Sequence, residues 1–216
     1  LKNHNDLYKY EHALIKEGYK LIAGVDEVGR GPLAAGVLAC ACILDLDQEI
    51  EGINDSKKLS EKKRLSMRQL IEEKAIAYAY GYCDESEIDD LNIYQASKLA
   101  MIRAVNALKV KPDYLLIDAM SLDMGIPETS IIKGDALSVS IGAASILAKV
   151  KRDQLMEEYD VIYPGYGFSK HKGYPTKYHL QQLRKLKPCP IHRKSYKPVR
   201  DLYLKQLQLD LEEDND

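Results

Sequence analysis

The chain of 216 residues is 45% apolar, enough to bury one large α/β domain or two small ones. It has no apolar run near the ~20 residues that span a bilayer, and Lys2, Asp6, Lys9 and Glu11 occupy the place of a signal-peptide core, so a cytoplasmic protein is expected. The net charge of −2 hides an asymmetry: residues 133–200 hold 14 Lys+Arg against 5 Asp+Glu, whereas residues 201–216 hold one Lys against six acids. A basic third is the footprint of a phosphate-backbone binder, although alone it is more often a solvated face. Four cysteines, Cys40, Cys42, Cys83 and Cys189, lack C-x-x-C spacing, so reduced thiols and no zinc are expected. The first residue is Leu, which suggests that natural N-terminal residues precede it.

In chain order, Leu7, Tyr8, Tyr10, Leu14 and Ile15 predict a short amphipathic helix over 7–19 that ends near Gly18. A strand over 21–27 and a second over 36–44, joined through a Gly-Pro turn, form a hairpin. Asn54 to Lys58 is a polar loop, and Ser60 opens a helix through about 74. A third strand covers about 76–83. The segment from Glu87 to Asn92 leads into a helix over about 93–108, whose apolar positions repeat every 3.6 residues. Tyr114-Leu115-Leu116-Ile117 is continuously apolar, as a central parallel strand should be, and ends at Asp118. A short strand at 130–132 leads to Lys133-Gly134-Asp135. A long helix over 139–159 begins with small residues that allow close backbone packing. Beyond it come a Pro/Gly/Tyr loop over 163–176, a helix at about 176–186 and a C-terminal helix at about 198–209. The expected domains are an N-terminal helical segment (1–20), a catalytic domain (21–187), and a C-terminal helix with an acidic tail (188–216).

The most informative stretch is Val25-Asp26-Glu27-Val28-Gly29-Arg30-Gly31-Pro32. Successive strand side chains point to opposite faces, so Asp26 and Glu27 can serve one site only at the strand's end, where one reaches in directly and the other bends round the edge. Asp26/Glu27, Asp118 and Asp135 all lie at strand ends or just after them, and such positions on neighbouring strands of an α/β sheet converge on one crevice. Four carboxylates without His or Cys repel one another unless cations neutralise them, which favours one or two hard divalent metals. Two such ions about 4 Å apart can clamp the attacking and leaving oxygens of a phosphoryl displacement. Singly, each feature has a bland explanation: a solvated strand end, a turn or a helix cap.

The segments 24–33, Asn54-Asp55-Ser56-Lys57-Lys58-Leu59-Ser60, Leu116-Ile117-Asp118, Lys133-Gly134-Asp135, 143–150, Arg152-Asp153, Tyr166-Gly167-Phe168 and His171-Lys172-Gly173-Tyr174-Pro175-Thr176 together resemble the type 2 ribonucleases H, specifically the bacterial ribonuclease HII group. Two small departures, Ala34-Ala35-Gly36 where the family usually carries a Gly-Pro pair and Gly142 where it usually has Ala, remove no functional group. The resemblance implies a ribonuclease H-like fold, a mixed central sheet flanked by helices with a small C-terminal helical appendage. It also implies that Asp26, Glu27, Asp118 and Asp135 are catalytic ligands of Mn²⁺ or Mg²⁺. Gly29, Arg30 and Gly31 would sense the ribose 2′-hydroxyl, Lys57 would contact phosphate, and Tyr174 would stack on the deoxyribose after the ribonucleotide. Lys149, Lys172 and Arg193 are further phosphate-contact candidates, each as readily a surface charge. The implied substrates are RNA–DNA hybrids and duplex DNA with embedded ribonucleotides, cut to leave 3′-hydroxyl and 5′-phosphate ends by a monomer, with a sliding clamp a compatible partner. His171, His179 and His192 read as packed or surface histidines.

Other readings compete, among them a nucleic-acid-binding module without catalysis, in which a carboxylate would normally be missing although all four stand here. The sister ribonuclease HIII group cuts hybrids but usually has Lys where Arg30 stands, with an added N-terminal domain. A DNA structure-specific nuclease of the same fold would not need the Gly-Arg-Gly turn.

Overall fold

The computed structural model describes residues 7–53 and 59–213, with side chains described to residue 205. Eight α-helices and five strands are found among them: α1 Lys9–Lys16, β1 Ile22–Val28, β2 Val37–Leu44, α2 Glu61–Lys74, β3 Ala75–Cys83, α3 Glu85–Leu91, α4 Ile93–Asn106, β4 Tyr114–Asp118, β5 Glu128–Ile131, α5 Val139–Ile162, α6 Phe168–His171, α7 Lys177–Leu186 and α8 Lys197–Glu213. The strands form one mixed sheet in the order β3-β2-β1-β4-β5. β1 pairs antiparallel with β2 and parallel with β4, and β4 runs parallel to β5. The expected hairpin and central parallel strand are both present.

The chain divides into two compact units. The first takes the chain up to Val28, Leu38–Tyr82 and Ser97–Lys151; the second takes Gly29–Val37, Cys83–Ala96 and everything from Arg152 on. In the first unit β2 is buried along its whole length, which explains why it is apolar without alternation, while edge strand β3 alternates in part. Cys40 and Cys42 share a core with Met67, Ile71, Val139 and Leu147. All four cysteines are free and buried, and burial raises the Cys42 thiol to about 12.

The small residues expected to bring α5 close to the sheet do so mainly from the strand side. A Cβ on Gly24 of β1 would lie 2.0 Å from the Ser140 carbonyl carbon, so only glycine lets β1 and α5 backbones meet there. Helix α1 secures the start of α5. Glu11, fully buried, accepts from Ser138 Oγ at 2.5 Å and from Ser140 N at 3.0 Å, placing a carboxylate among the orphan amides of a helix N-terminus.

The second unit is organised around two buried arginines. Arg193 donates to the carbonyls of Gly29 (2.6 Å), Arg30 (2.9 Å), Ala35 (2.8 Å) and Gly36 (3.2 Å). Arg152 donates to Lys172 O at 3.0 Å and Ala34 O at 3.4 Å. The backbone of Leu33 to Ala35 pairs with Ile191 to Arg193, and Leu33 N donates to Gly173 O. Phe168, Tyr166, Met156 and Ile191 fill the core beneath.

Two short helices were not foreseen. α3 lies where only a polar lead-in to α4 was expected, and it starts with a reciprocal cap between Asp84 and Glu87. α6 is a single turn inside the loop over 163–176, bounded by left-handed residues Gly167 and Lys172.

Candidate active site

The register of β1 and β4 assembles the first half of the site. Val25 aligns with Ile117, so Asp26 and Asp118 are the next residues on adjacent parallel strands. Asp26, Glu27 and Asp118 each offer an oxygen within 4.8 Å of the others. Asp135 follows in a 3₁₀ turn, Gly134–Ala136, and is 8% exposed; it lies outside that trio, although its charge acts on Asp26.

Two of the carboxylates are held by their neighbours. Asp26 accepts from the Glu27 amide at 2.7 Å and from the Ser145 hydroxyl on α5. Asp118 Oδ1 accepts from Gly134 N at 2.7 Å, and a side chain at 134 would meet Ile141 Cδ1 at 2.5 Å. Burial, reinforced by the charges of Glu27 and Asp118, pushes the Asp26 carboxyl well above the usual range; the Ser145 hydrogen bond opposes the shift and Asp135 adds to it. A group of carboxylates gathered in this way without His or Cys is a hard-oxygen donor set of the kind that divalent metal ions take. A divalent cation would reverse the repulsion that raises Asp26.

The second unit holds Gly29, Arg30, Gly31 and Tyr174. Gly29 is at φ +103°, and a Cβ there would strike Arg152 Nε at 2.4 Å. Arg30 is exposed, with its carbonyl taken by Arg193 Nη1 and by the Tyr196 hydroxyl at 2.7 Å. Its backbone is thus fixed. Tyr174, 43% exposed, rests its ring against Gly31: a Cβ on that glycine would come within 3.2 Å of Tyr174 Cε1. Lys57 lies outside the described residues.

Three cations considered as phosphate contacts fare differently. Arg193 is fully buried and its donors are spent on backbone carbonyls, which removes it from any substrate surface. Lys172 pairs with Glu157 at 3.0 Å, and Lys149 is half-buried on α5. The part of Ser145 was not singled out in the sequence: among small helix residues it is marked only as one member of the family-like segment 143–150.

The family model for ribonuclease HII matches residues 23–199. Ribonuclease HII of Enterococcus faecalis (strain ATCC 700802 / V583) is 54% identical over 197 residues, covering 91% of this chain and 77% of that protein. Among solved structures, ribonuclease H2 from Pyrococcus horikoshii OT3 superposes with a TM-score of 0.75 at 24% identity, covering 86% of this chain and 98% of that one. Ribonuclease HII in the PCNA complex from Archaeoglobus fulgidus gives 0.70 at 20% identity, covering 82% and 95%, and Bst-RNase HIII with Mn²⁺ gives 0.61 at 19%, covering 85% and 69%. These likenesses establish the ribonuclease H-like fold. By the family match over most of its length and a relative sharing more than half of the aligned residues, the chain belongs to the ribonuclease HII family, hydrolases of the ribonuclease H type 2 class.

Proposed function

We propose that this chain is a divalent-metal-dependent endoribonuclease that cuts the RNA strand of RNA–DNA hybrids and cuts 5′ to single ribonucleotides in duplex DNA, leaving 3′-hydroxyl and 5′-phosphate ends. The observation that carries this reading is the trio Asp26, Glu27 and Asp118, with oxygens within 4.8 Å at the ends of adjacent strands, in a chain of the ribonuclease HII family. Asp26, Glu27, Asp118 and Asp135 would hold one or two Mn²⁺ or Mg²⁺ ions, which supply an activated water and charge stabilisation at phosphorus. Ser145 and the Gly134 amide hold two of these carboxylates in place before any ion arrives.

Discrimination of RNA from DNA falls to Gly29, Arg30 and Gly31, because the 2′-hydroxyl is the only group at a given sugar that differs. Their carbonyls at 29 and 30 are anchored by Arg193, so the turn is preorganised and little ordering remains on binding. Tyr174, exposed beside Gly31, is suited to stack on the following deoxyribose, and Lys57 to contact a phosphate. Arg30, where the ribonuclease HIII group usually has Lys, also favours junction cutting over a hybrid-only activity. The same reading has the chain acting as a cytoplasmic monomer. A sliding clamp is a partner to test, on the precedent of the Archaeoglobus fulgidus complex.

Chelator-treated protein should be inactive on both substrates and regain activity with Mn²⁺ or Mg²⁺. Asp118→Asn should lower turnover by about a thousandfold or more, as expected when ligation worth several kcal/mol is lost, with circular dichroism unchanged. Metal-independent cleavage, or turnover retained by Asp118→Asn, would break the assignment.

A further inference from the structure

Behind Tyr174 lies a buried polar chain that the carboxylate chemistry does not use. We propose that His179 and His192 are positioning residues for Tyr174, forming a directional hydrogen-bond relay that runs from the Cys189 backbone to the Tyr174 carbonyl and fixes the ring's approach to substrate. The inference rests on the reading of Tyr174 as a substrate contact.

The direction follows from one group that can only donate. The Cys189 backbone N–H points at His192 Nδ1 at 3.0 Å, and the Cys189 thiol, raised to about 11 by burial and so protonated, lies 3.1 Å from the same nitrogen. The Cys189 carbonyl lies farther from that nitrogen, at 3.3 Å, so the amide decides: His192 Nδ1 is the acceptor, and its proton sits on Nε2. That Nε2 is 3.1 Å from His179 Nε2, which must accept in turn, so the His179 proton sits on Nδ1, 2.9 Å from Tyr174 O. Protonation of either ring would set two N–H groups head to head. Burial holds both imidazoles at about 4, which keeps the relay neutral at working pH.

The far end of the relay is anchored as well. His192 N donates to Cys189 O, and the next residue is Arg193, whose guanidinium carries the Gly29 and Arg30 carbonyls. One short stretch, Cys189 to Arg193, thus sets both the Gly-Arg-Gly turn and Tyr174. Around Tyr174 the backbone is unusual: Lys172 at φ +51° and Gly173 at φ +84° precede it, and its carbonyl also accepts from Thr176 N at 2.8 Å. His171 stacks on His179 with ring centroids 4.4 Å apart, and Phe168 meets His179 edge-on at 5.5 Å, so the ring has little freedom to turn. Packing alone would be indifferent to which nitrogen carries the proton; the relay is not.

Two measurements test this. Nitrogen-15 NMR of the wild-type protein at pH 7 should find the proton on Nδ1 of His179 and on Nε2 of His192; the opposite tautomers, or a charged ring, would overturn the proposal. Kinetics then compare His179→Asn, whose amide can stand in for Nδ1, with His179→Gln, whose amide stands in for Nε2 only. Relative to RNA–DNA hybrid, kcat/KM on a single-ribonucleotide duplex should fall about tenfold in His179→Gln, carried by KM, and be largely restored in His179→Asn. Equal losses in the two variants, or none, would reduce His179 to a packing residue. Tyr174→Ala is the control for the underlying reading: if it leaves the substrate ratio unchanged, Tyr174 is not a substrate contact and the relay has nothing to position.

Discussion

Asp26 is 6% exposed beside two other carboxylates, and its burial and their charges have a consequence for stability as well as for chemistry. Its native pKa lies above the unfolded value of about 3.9. Over the interval between them the native state keeps a proton that the unfolded chain has lost. Asp26 thus favours folding fully below the unfolded pKa, and that contribution is lost as pH rises through the native pKa. Without a divalent cation, Asp26→Asn should therefore raise the melting temperature at neutral pH and flatten its decline with rising pH, while shrinking the rise that Mn²⁺ produces in the wild type. A lower melting temperature for the metal-free variant would mean that Asp26 is not strained by its neighbours. At this scale the carboxylates were legible because strand ends in an α/β sheet converge. Arg193 was not, since an arginine in a basic stretch looks the same whether it meets phosphate or four buried carbonyls.

Among the elements, one of the tightest junctions is that of β1 with α5, where Gly24 faces the Ser140 carbonyl carbon. Gly24→Ala must force strand and helix apart, and overpacking of this kind costs about 3 kcal/mol or more where backbone must move. Urea unfolding should show that loss as a lower midpoint with little change in slope; a variant as stable as wild type would show that the packing relaxes freely. Most elements could be read from sequence because their signals were strong: a continuous apolar run for β2 and β4, and Ser60 as the opening of α2, where its side chain caps the helix. α3 escaped because its seven residues, Glu85–Leu91, are mostly acidic and only Ile88 is buried, so no apolar period betrays it. α6 has four residues, too few for any period to form. The division into two units was equally hidden, for it cuts through α4 and α5 rather than at a linker.

Over the whole molecule, the basic surplus of residues 133–200 is partly structural, since Arg152 and Arg193 are buried. The remaining cations still predict affinity for a polyanion that weakens with salt, by about 0.9 in log K per unit of log salt for each phosphate neutralised. Four phosphate contacts would cost roughly a hundredfold between 50 and 200 mM salt. Fluorescence anisotropy with a catalytically dead variant should follow such a line, and a flat response would assign the surplus to solvation alone. No helix among the described residues is long and apolar enough to cross a membrane. The central proposal is that the carboxylates hydrolyse a phosphodiester and that Gly29, Arg30, Gly31 and Tyr174 recognise a ribose-to-deoxyribose junction. The most direct measurement is cleavage of an end-labelled DNA duplex holding one internal ribonucleotide, with Mg²⁺ or Mn²⁺, beside a full RNA–DNA hybrid and an all-DNA control. The account predicts a single cut 5′ to the ribonucleotide, leaving 3′-hydroxyl and 5′-phosphate ends, with the all-DNA duplex untouched. Cleavage of the hybrid alone would contradict the junction reading, and cleavage of the all-DNA control would contradict the role given to Gly29, Arg30 and Gly31.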